Sequence, residues 1–225
     1  MVERAHEPAA GWVEVDDYVG RLLIGDDAHL AATLTANAAG GLPDIDVSPP
    51  QGKMLQLMAR MVGARRILEV GTLGGYSTIW LARALPAEGR LVTLELEAHH
   101  AEVARANIAA AGLADKVEVL VGPAVDTLAA LDGVFDFIFI DADKPSNVTY
   151  FREALRLSRS GTAIVVDNVV REGAILDADS IDDRVQGTRA LFEAVAAEPR
   201  VSATAVQTVG GKKWDGFLLL VVNDE

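Results

Sequence analysis

Glu69-Val70-Gly71-Thr72-Leu73-Gly74-Gly75-Tyr76-Ser77 decides the fold. It ends a short apolar run over 66–70 and opens a helix-like stretch over 76–85. A strand that breaks at glycine and turns directly into a helix is the first unit of a parallel α/β sheet. Glycines at 71, 74 and 75 allow a sharp turn and a close approach of a ligand to the backbone. The loop is not the G-x-G-x-x-G dinucleotide fingerprint, because position 73 is leucine. Glu69 places a negative charge beside the loop, which suits a ligand bearing an amino group better than a pyrophosphate.

Beyond this loop the same alternation continues. Strands are expected over 90–94, 116–121, 135–140 and 162–166. Helices are expected over 98–111, up to 131, over 145–158 and within 180–197. Strands that are apolar throughout imply a doubly wound, mostly parallel sheet covered on both faces. Two strands, over 201–206 and 217–222, flank Gly210-Gly211 and read as an antiparallel pair. Before the loop lie helices over 13–24 and 28–39, stopped by Gly40-Gly41-Leu42-Pro43. Ser48-Pro49-Pro50 then opens a third helix, with serine as the cap and proline in the first turn. Residues 1–63 are read as an N-terminal helical extension of the same domain, and 64–225 as the α/β core.

The 225 residues carry 33 Asp and Glu against 20 Lys and Arg, a net charge of −13. Such a body repels phosphate backbones and anionic lipid, so neither nucleic acid nor a membrane is expected as a partner. There are no cysteines, which excludes disulfide scaffolds, zinc knuckles, iron–sulfur sites and thiol catalysis. Residues 1–11 hold no apolar signal core, and the longest apolar runs are too short to span a bilayer. A soluble, cytoplasmic protein is expected.

Ligands of doubly wound sheets bind outside the carboxyl ends of the strands. Those ends carry Glu69, Glu95, Gly122, Asp141 and Asp167-Asn168. An acid at the end of the second strand, Glu95, can accept hydrogen bonds from both hydroxyls of a ribose. A plain strand-to-helix turn with two surface acids is the alternative. Asp141 and Asp167-Asn168 close consecutive strands that a parallel sheet can place side by side. Two carboxylates and an amide oxygen form a hard, all-oxygen set suited to Mg²⁺, Mn²⁺ or Ca²⁺. Asp167 and Asn168 could instead be cap or turn residues. Lys144 follows Asp141 by three positions. Near a cation in a partly dry cleft its ammonium form is disfavoured, so it can serve as a base. The alternative is an ion pair with Asp141 or Asp143. His6, His29, His99 and His100 form no cluster and read as surface residues. Neither a Gly-x-Ser-x-Gly elbow nor a P-loop is present.

On the glycine loop, on Asp141-Ala142-Asp143-Lys144 and on Asp167-Asn168, the chain from Val47 onward resembles the S-adenosylmethionine (SAM)-dependent methyltransferases. Within them it is similar to the metal-dependent O-methyltransferases of the catechol and caffeoyl-CoA type. The resemblance implies a Rossmann-like core and methyl transfer from SAM to a hydroxyl of a small aromatic acceptor, one of two adjacent hydroxyls. It implies that Val47, Glu69, Gly71 and Ser77 surround the methionine part of the cofactor, Glu95 the ribose and Ala124 the adenine. Asp141 is implied at both cofactor and cation, with Asp167 and Asn168 as further ligands and Lys144 as base. Asp143 is implied near the adenine or the acceptor. A homodimer through the N-terminal helices is the family expectation. Two departures stand out. Asn147 occupies a position where the family often has tyrosine, and residues 208–215 hold no clear counterpart of the glutamate of the catechol enzymes. The acidic stretch 169–184 is expected to overhang the site. A metal-independent methyltransferase and a non-catalytic protein of the same fold are the rival readings. A nicotinamide oxidoreductase is disfavoured by the missing fingerprint.

Overall fold

Five parallel strands run through the centre: Arg66–Val70 (β1), Arg90–Glu95 (β2), Val117–Val121 (β3), Phe137–Ile140 (β4) and Ala163–Asp167 (β5). Val201–Gly210 (β6) and Lys213–Val222 (β7) complete the sheet as an antiparallel pair, with β7 hydrogen-bonded to β5. The computed structural model describes residues 10–224. His6 and most of the segment read for a signal core lie outside them. The strand order is β3-β2-β1-β4-β5-β7-β6. After β3 the chain returns to the other side of β1, so the order reverses between β1 and β4. A cleft opens at such a reversal because the crossover helices leave in opposite directions.

The helices are Ala10–Val19 (α1), Ala28–Ala39 (α2), Pro49–Met61 (α3), Tyr76–Ala82 (α4), Ala98–Ala110 (α5), Ala124–Ala130 (α6), Asn147–Arg156 (α7) and Asp183–Ala196 (α8). A π-helical turn, Gly20–Ile24, extends α1. Side chains alternate across each strand, so each strand feeds two cores. Ile67, Phe137 and Val165 pack with Leu55, Ile79 and Ile108 of α3, α4 and α5. Leu68, Ile138 and Ile164 pack with Leu128, Phe151 and Leu191 of α6, α7 and α8. Both faces are therefore apolar, which is why these strands show no alternation. No helix of the described residues is long and apolar enough to cross a membrane.

Local signals explain the element ends. Asp27 caps α2 through the amides of His29 and Leu30, and Ser48 caps α3 through that of Gln51. Two expectations need correction. The helix expected over 145–158 begins as a 3₁₀ turn, Lys144–Ser146, because the Asp143 carboxylate accepts the Ser146 amide and tightens the first turn. The C-terminal strands are longer than their apolar runs. Their outer halves pair Gln207 with Gly216, Thr208 with Asp215 and Val209 with Trp214, a ribbon mostly too polar to register as a buried strand.

Candidate active site

Gly71 sets the geometry where the two halves of the sheet meet. It lies at φ +101°, and a Cβ there would stand 2.1 Å from the carbonyl oxygen of Asp141. Only glycine lets the ends of β1 and β4 approach this closely. Leu73 at φ +49° and Gly75 at φ +85° complete the turn into α4. Beside the loop lies a cleft of about 580 Å³, lined by Val47, Gly71, Ser77, Glu95, Ala124, Asp141, Lys144 and Asn168, among others. Eight of the ten sequence-selected residues thus share one wall-to-wall space at the carboxyl edge. Glu69 and Asp167 lie one layer behind it.

Glu69 is fully buried. Its carboxylate accepts hydrogen bonds from the hydroxyls of Ser77 at 2.6 Å, Thr78 at 2.5 Å and Thr93 at 2.7 Å. Burial pushes its carboxyl up to about 7, against the pull of these three donors. Glu69 therefore acts on the cleft through Ser77. Glu95, by contrast, reaches the cleft directly and also grips the loop. Its Oε2 accepts the amides of Thr72 at 3.2 Å and Leu73 at 2.7 Å, and its Oε1 accepts that of Glu97 at 3.0 Å. Each oxygen keeps acceptor capacity for a ligand hydroxyl.

The charged end of the cleft is built on β4 and β5. Lys144 is buried, and its Nζ donates to Asp141 Oδ1 at 2.9 Å. Asp167 is also buried, and it accepts from Gln51 Nε2 at 2.6 Å and from the Asn168 amide at 2.8 Å. Burial first, and the charge of Asp141 second, push the Asp167 carboxyl up to about 7. Asn168, at φ +58°, presents its side chain to the cleft. Two nearby carboxylates that repel each other, with one amide oxygen, match the oxygen-donor chemistry of a hard divalent cation. Among the described residues no group of three His, Cys, Asp or Glu side chains could hold a metal. A cation here would take the Asn168 oxygen and non-protein ligands in addition to the two carboxylates.

Several cleft residues escaped the sequence reading. His100 is not a plain surface residue, since it lines the cleft with Nδ1 3.5 Å from Glu95 Oε1. Its signal was its place in the first turn of α5, five residues after the strand-end acid. His29 and His99 are exposed, as expected. Tyr150 lines the cleft and donates to Asp143, which also lines it. Asp46 and Ile45 also line it. Asn147 is buried, and neither polar atom of its amide has a partner among the described residues. In the stretch 169–184, the amides of Val170 and Arg171 donate to Asp215 of β7 at 3.0 Å each. Asp215 thereby fixes a run of left-handed residues, Arg171, Glu172 and Gly173. A shallower cleft of about 290 Å³, lined by Asn168, Arg171, Glu172 and Asp182, adjoins the first at Asn168.

Comparison with known proteins places this architecture. Residues 26–220 match the model of a family described as O-methyltransferase. The chain is 54% identical over 210 residues to a catechol O-methyltransferase of Mycobacterium tuberculosis, covering 93% of this chain and 95% of that one. It superposes on the O-methyltransferase from Bacillus cereus in complex with SAH with a TM-score of 0.93. The two are 57% identical, over 95% of this chain and 99% of that one. It also matches an O-methyltransferase from Streptomyces achromogenes involved in tomaymycin synthesis, in complex with SAM. There the TM-score is 0.93 and the identity 49%, with both chains covered completely. With a family match spanning nearly all of the sheet and the polar edge described above, the chain belongs to the O-methyltransferase family.

Proposed function

We propose that the protein transfers the methyl group of SAM to one of two adjacent hydroxyls on a small aromatic acceptor, with a divalent cation held by Asp141, Asp167 and Asn168. The carrying observation is the pair of buried Lys144 with half-buried Asp141 at 2.9 Å, near Asp167, in a cleft that Glu95 and Ser77 share. The SAM- and SAH-bound neighbours and the catechol O-methyltransferase relative support the same reading. Glu95 receives the ribose hydroxyls, Ala124 borders the adenine, and Val47, Gly71 and Ser77 enclose the methionine end, with Glu69 orienting Ser77 from behind. When bound, Mg²⁺, Mn²⁺ or Ca²⁺ would supply the positive charge that makes an aromatic hydroxyl more acidic, as it does water. Lys144 takes the hydroxyl proton at Nζ. The freed oxygen attacks the methyl carbon, the carbon–sulfur bond breaks, and SAH leaves. Positioning of the two reactants supplies much of the acceleration. We further read the protein as a homodimer through its N-terminal helices. Leu22, Leu23 and Met61 there are 63%, 74% and 83% exposed, on segments that pack together.

The acceptor class is tested by comparing a catechol with the matching monophenol, product being followed by mass spectrometry. Turnover of the diol at least about a hundredfold above that of the monophenol is expected, because orientation through two oxygens is lost with one. Equal turnover of both would exclude a vicinal diol as the required feature.

A further inference from the structure

The cleft contains a carboxylate that the reaction above leaves unused. Asp46 lines the cleft from the segment between α2 and α3. The Asn37 amide group holds both of its oxygens, at 3.1 and 3.2 Å. Asn37 is fixed in turn by Asn107, whose Nδ2 donates to Asn37 Oδ1 at 3.0 Å and to the Gly74 carbonyl at 2.9 Å. Gly74 must be glycine, since a Cβ would stand 1.8 Å from Asn37 Oδ1. One amide chain therefore locks Asp46 to the loop that turns into Ser77.

This locked carboxylate has only neutral partners. Among the described residues it forms no ion pair. Lys212, the basic side chain that acts on it through space, places its ammonium 3.1 Å from Asp44 instead. Half-buried acids are stabilised by a cationic partner, and here the partner must come from the cleft. Glu69, the acid that the sequence placed beside the amino end of the cofactor, is sealed behind three hydroxyls.

We propose that Asp46, not Glu69, is the counter-charge for the α-ammonium group of the cofactor's methionine end. This rests on the reading of SAM as cofactor. It lines the same cleft as Val47, Ser77 and Gly71, the residues read as enclosing the amino-acid end, and the Asn37–Asn107–Gly74 chain ties it to their loop before the cofactor arrives.

The test is calorimetric binding of SAM, SAH and 5′-methylthioadenosine to wild type, to Asp46→Asn and to Asp132→Asn. Asparagine can still accept from Asn37, so the fold is retained. Asp132 is exposed, absent from the cleft and not among the groups that act on Asp46, which makes it the control for lost surface charge. Asp46→Asn should weaken SAM and SAH equally, by about tenfold or more, the effect of one charge-assisted contact. Methylthioadenosine, which lacks the amino-acid end, should bind as to wild type, and Asp132→Asn should change nothing. Three results would overturn the assignment. SAH binding could be unchanged. SAM could be weakened without SAH, which would point to the sulfonium. All three ligands could weaken together, which would mean a damaged cleft. Wild type that binds neither SAM nor SAH would overturn the cofactor reading itself.

Discussion

Buried Lys144 and half-buried Asp141 hold each other at 2.9 Å, and the lysine is proposed to carry the acceptor's proton. Replacing it tests that role. Lys144→Ala should lower the rate by roughly 10²–10⁴-fold at neutral pH, the usual contribution of a positioned base. The deficit should shrink as pH rises, because the acceptor hydroxyl then ionises unaided. Parallel pH–rate profiles differing by a few-fold would reduce Lys144 to an ion-pair partner. Glu69 carries a second prediction, about stability. Its carboxyl is raised to about 7 in the fold against an ordinary value of 4.5. The folded protein thus binds more protons than the unfolded chain between these values, and stability falls as pH rises through that window. Glu69→Gln should remove up to about 3 kcal/mol of this pH dependence. Urea unfolding of both proteins at pH 5 and pH 8 measures it, and identical pH dependence would contradict the assigned burial. These residues also show what a sequence conceals. Asp141, Lys144, Glu95 and Asn168 were legible because chemistry-bearing side chains at strand ends of an apolar sheet have few other uses. That Glu69 is one layer too deep was not, since Ser77, Thr78 and Thr93 seal it by tertiary packing. His100 and Asp46 were missed because a lone histidine or aspartate in a helix or loop resembles solvated surface until the fold faces it inward.

The β1–loop–α4 element carries the most sharply defined backbone requirement in the protein. Gly71 combines a left-handed φ with a neighbour 2.1 Å from where its Cβ would lie, and that neighbour is backbone that cannot rotate away. Gly71→Ala should therefore separate β1 from β4, lower the thermal midpoint by several degrees and abolish SAH binding. A stable variant with unaltered SAH affinity would show that the close approach is dispensable. Elements with unbroken apolar runs or clear caps were readable in advance. β1, β2, β5 and α2 fall within about a residue of their expected limits, and α3 starts at its expected cap. The misreadings share one cause. The outer half of the β6–β7 ribbon pairs strand to strand with mostly polar, exposed side chains, Trp214 alone of its named pairs packing on a core, and the 3₁₀ turn after β4 is imposed by the Asp143 side chain. Neither leaves a hydrophobic period to detect.

Over the whole molecule, the strand order places every candidate ligand at one edge. Asp141 and Asp167 come together because β4 pairs with β5 in parallel, with Ile140 opposite Val166. The glycine loop meets them because β1 pairs with β4 on the other side, with Val70 opposite Ile140. The net charge of −13 leaves this acidic edge uncompensated except by Lys144 among the described cleft residues, and a divalent cation would balance it. The measurement that bears most directly on the account is methyl transfer from SAM to a catechol by protein stripped with EDTA, with and without added Mg²⁺ or Mn²⁺. No turnover is expected in the stripped protein, with restoration on adding either cation and SAH binding that survives stripping. Full turnover by the metal-stripped protein would contradict the proposed metal dependence.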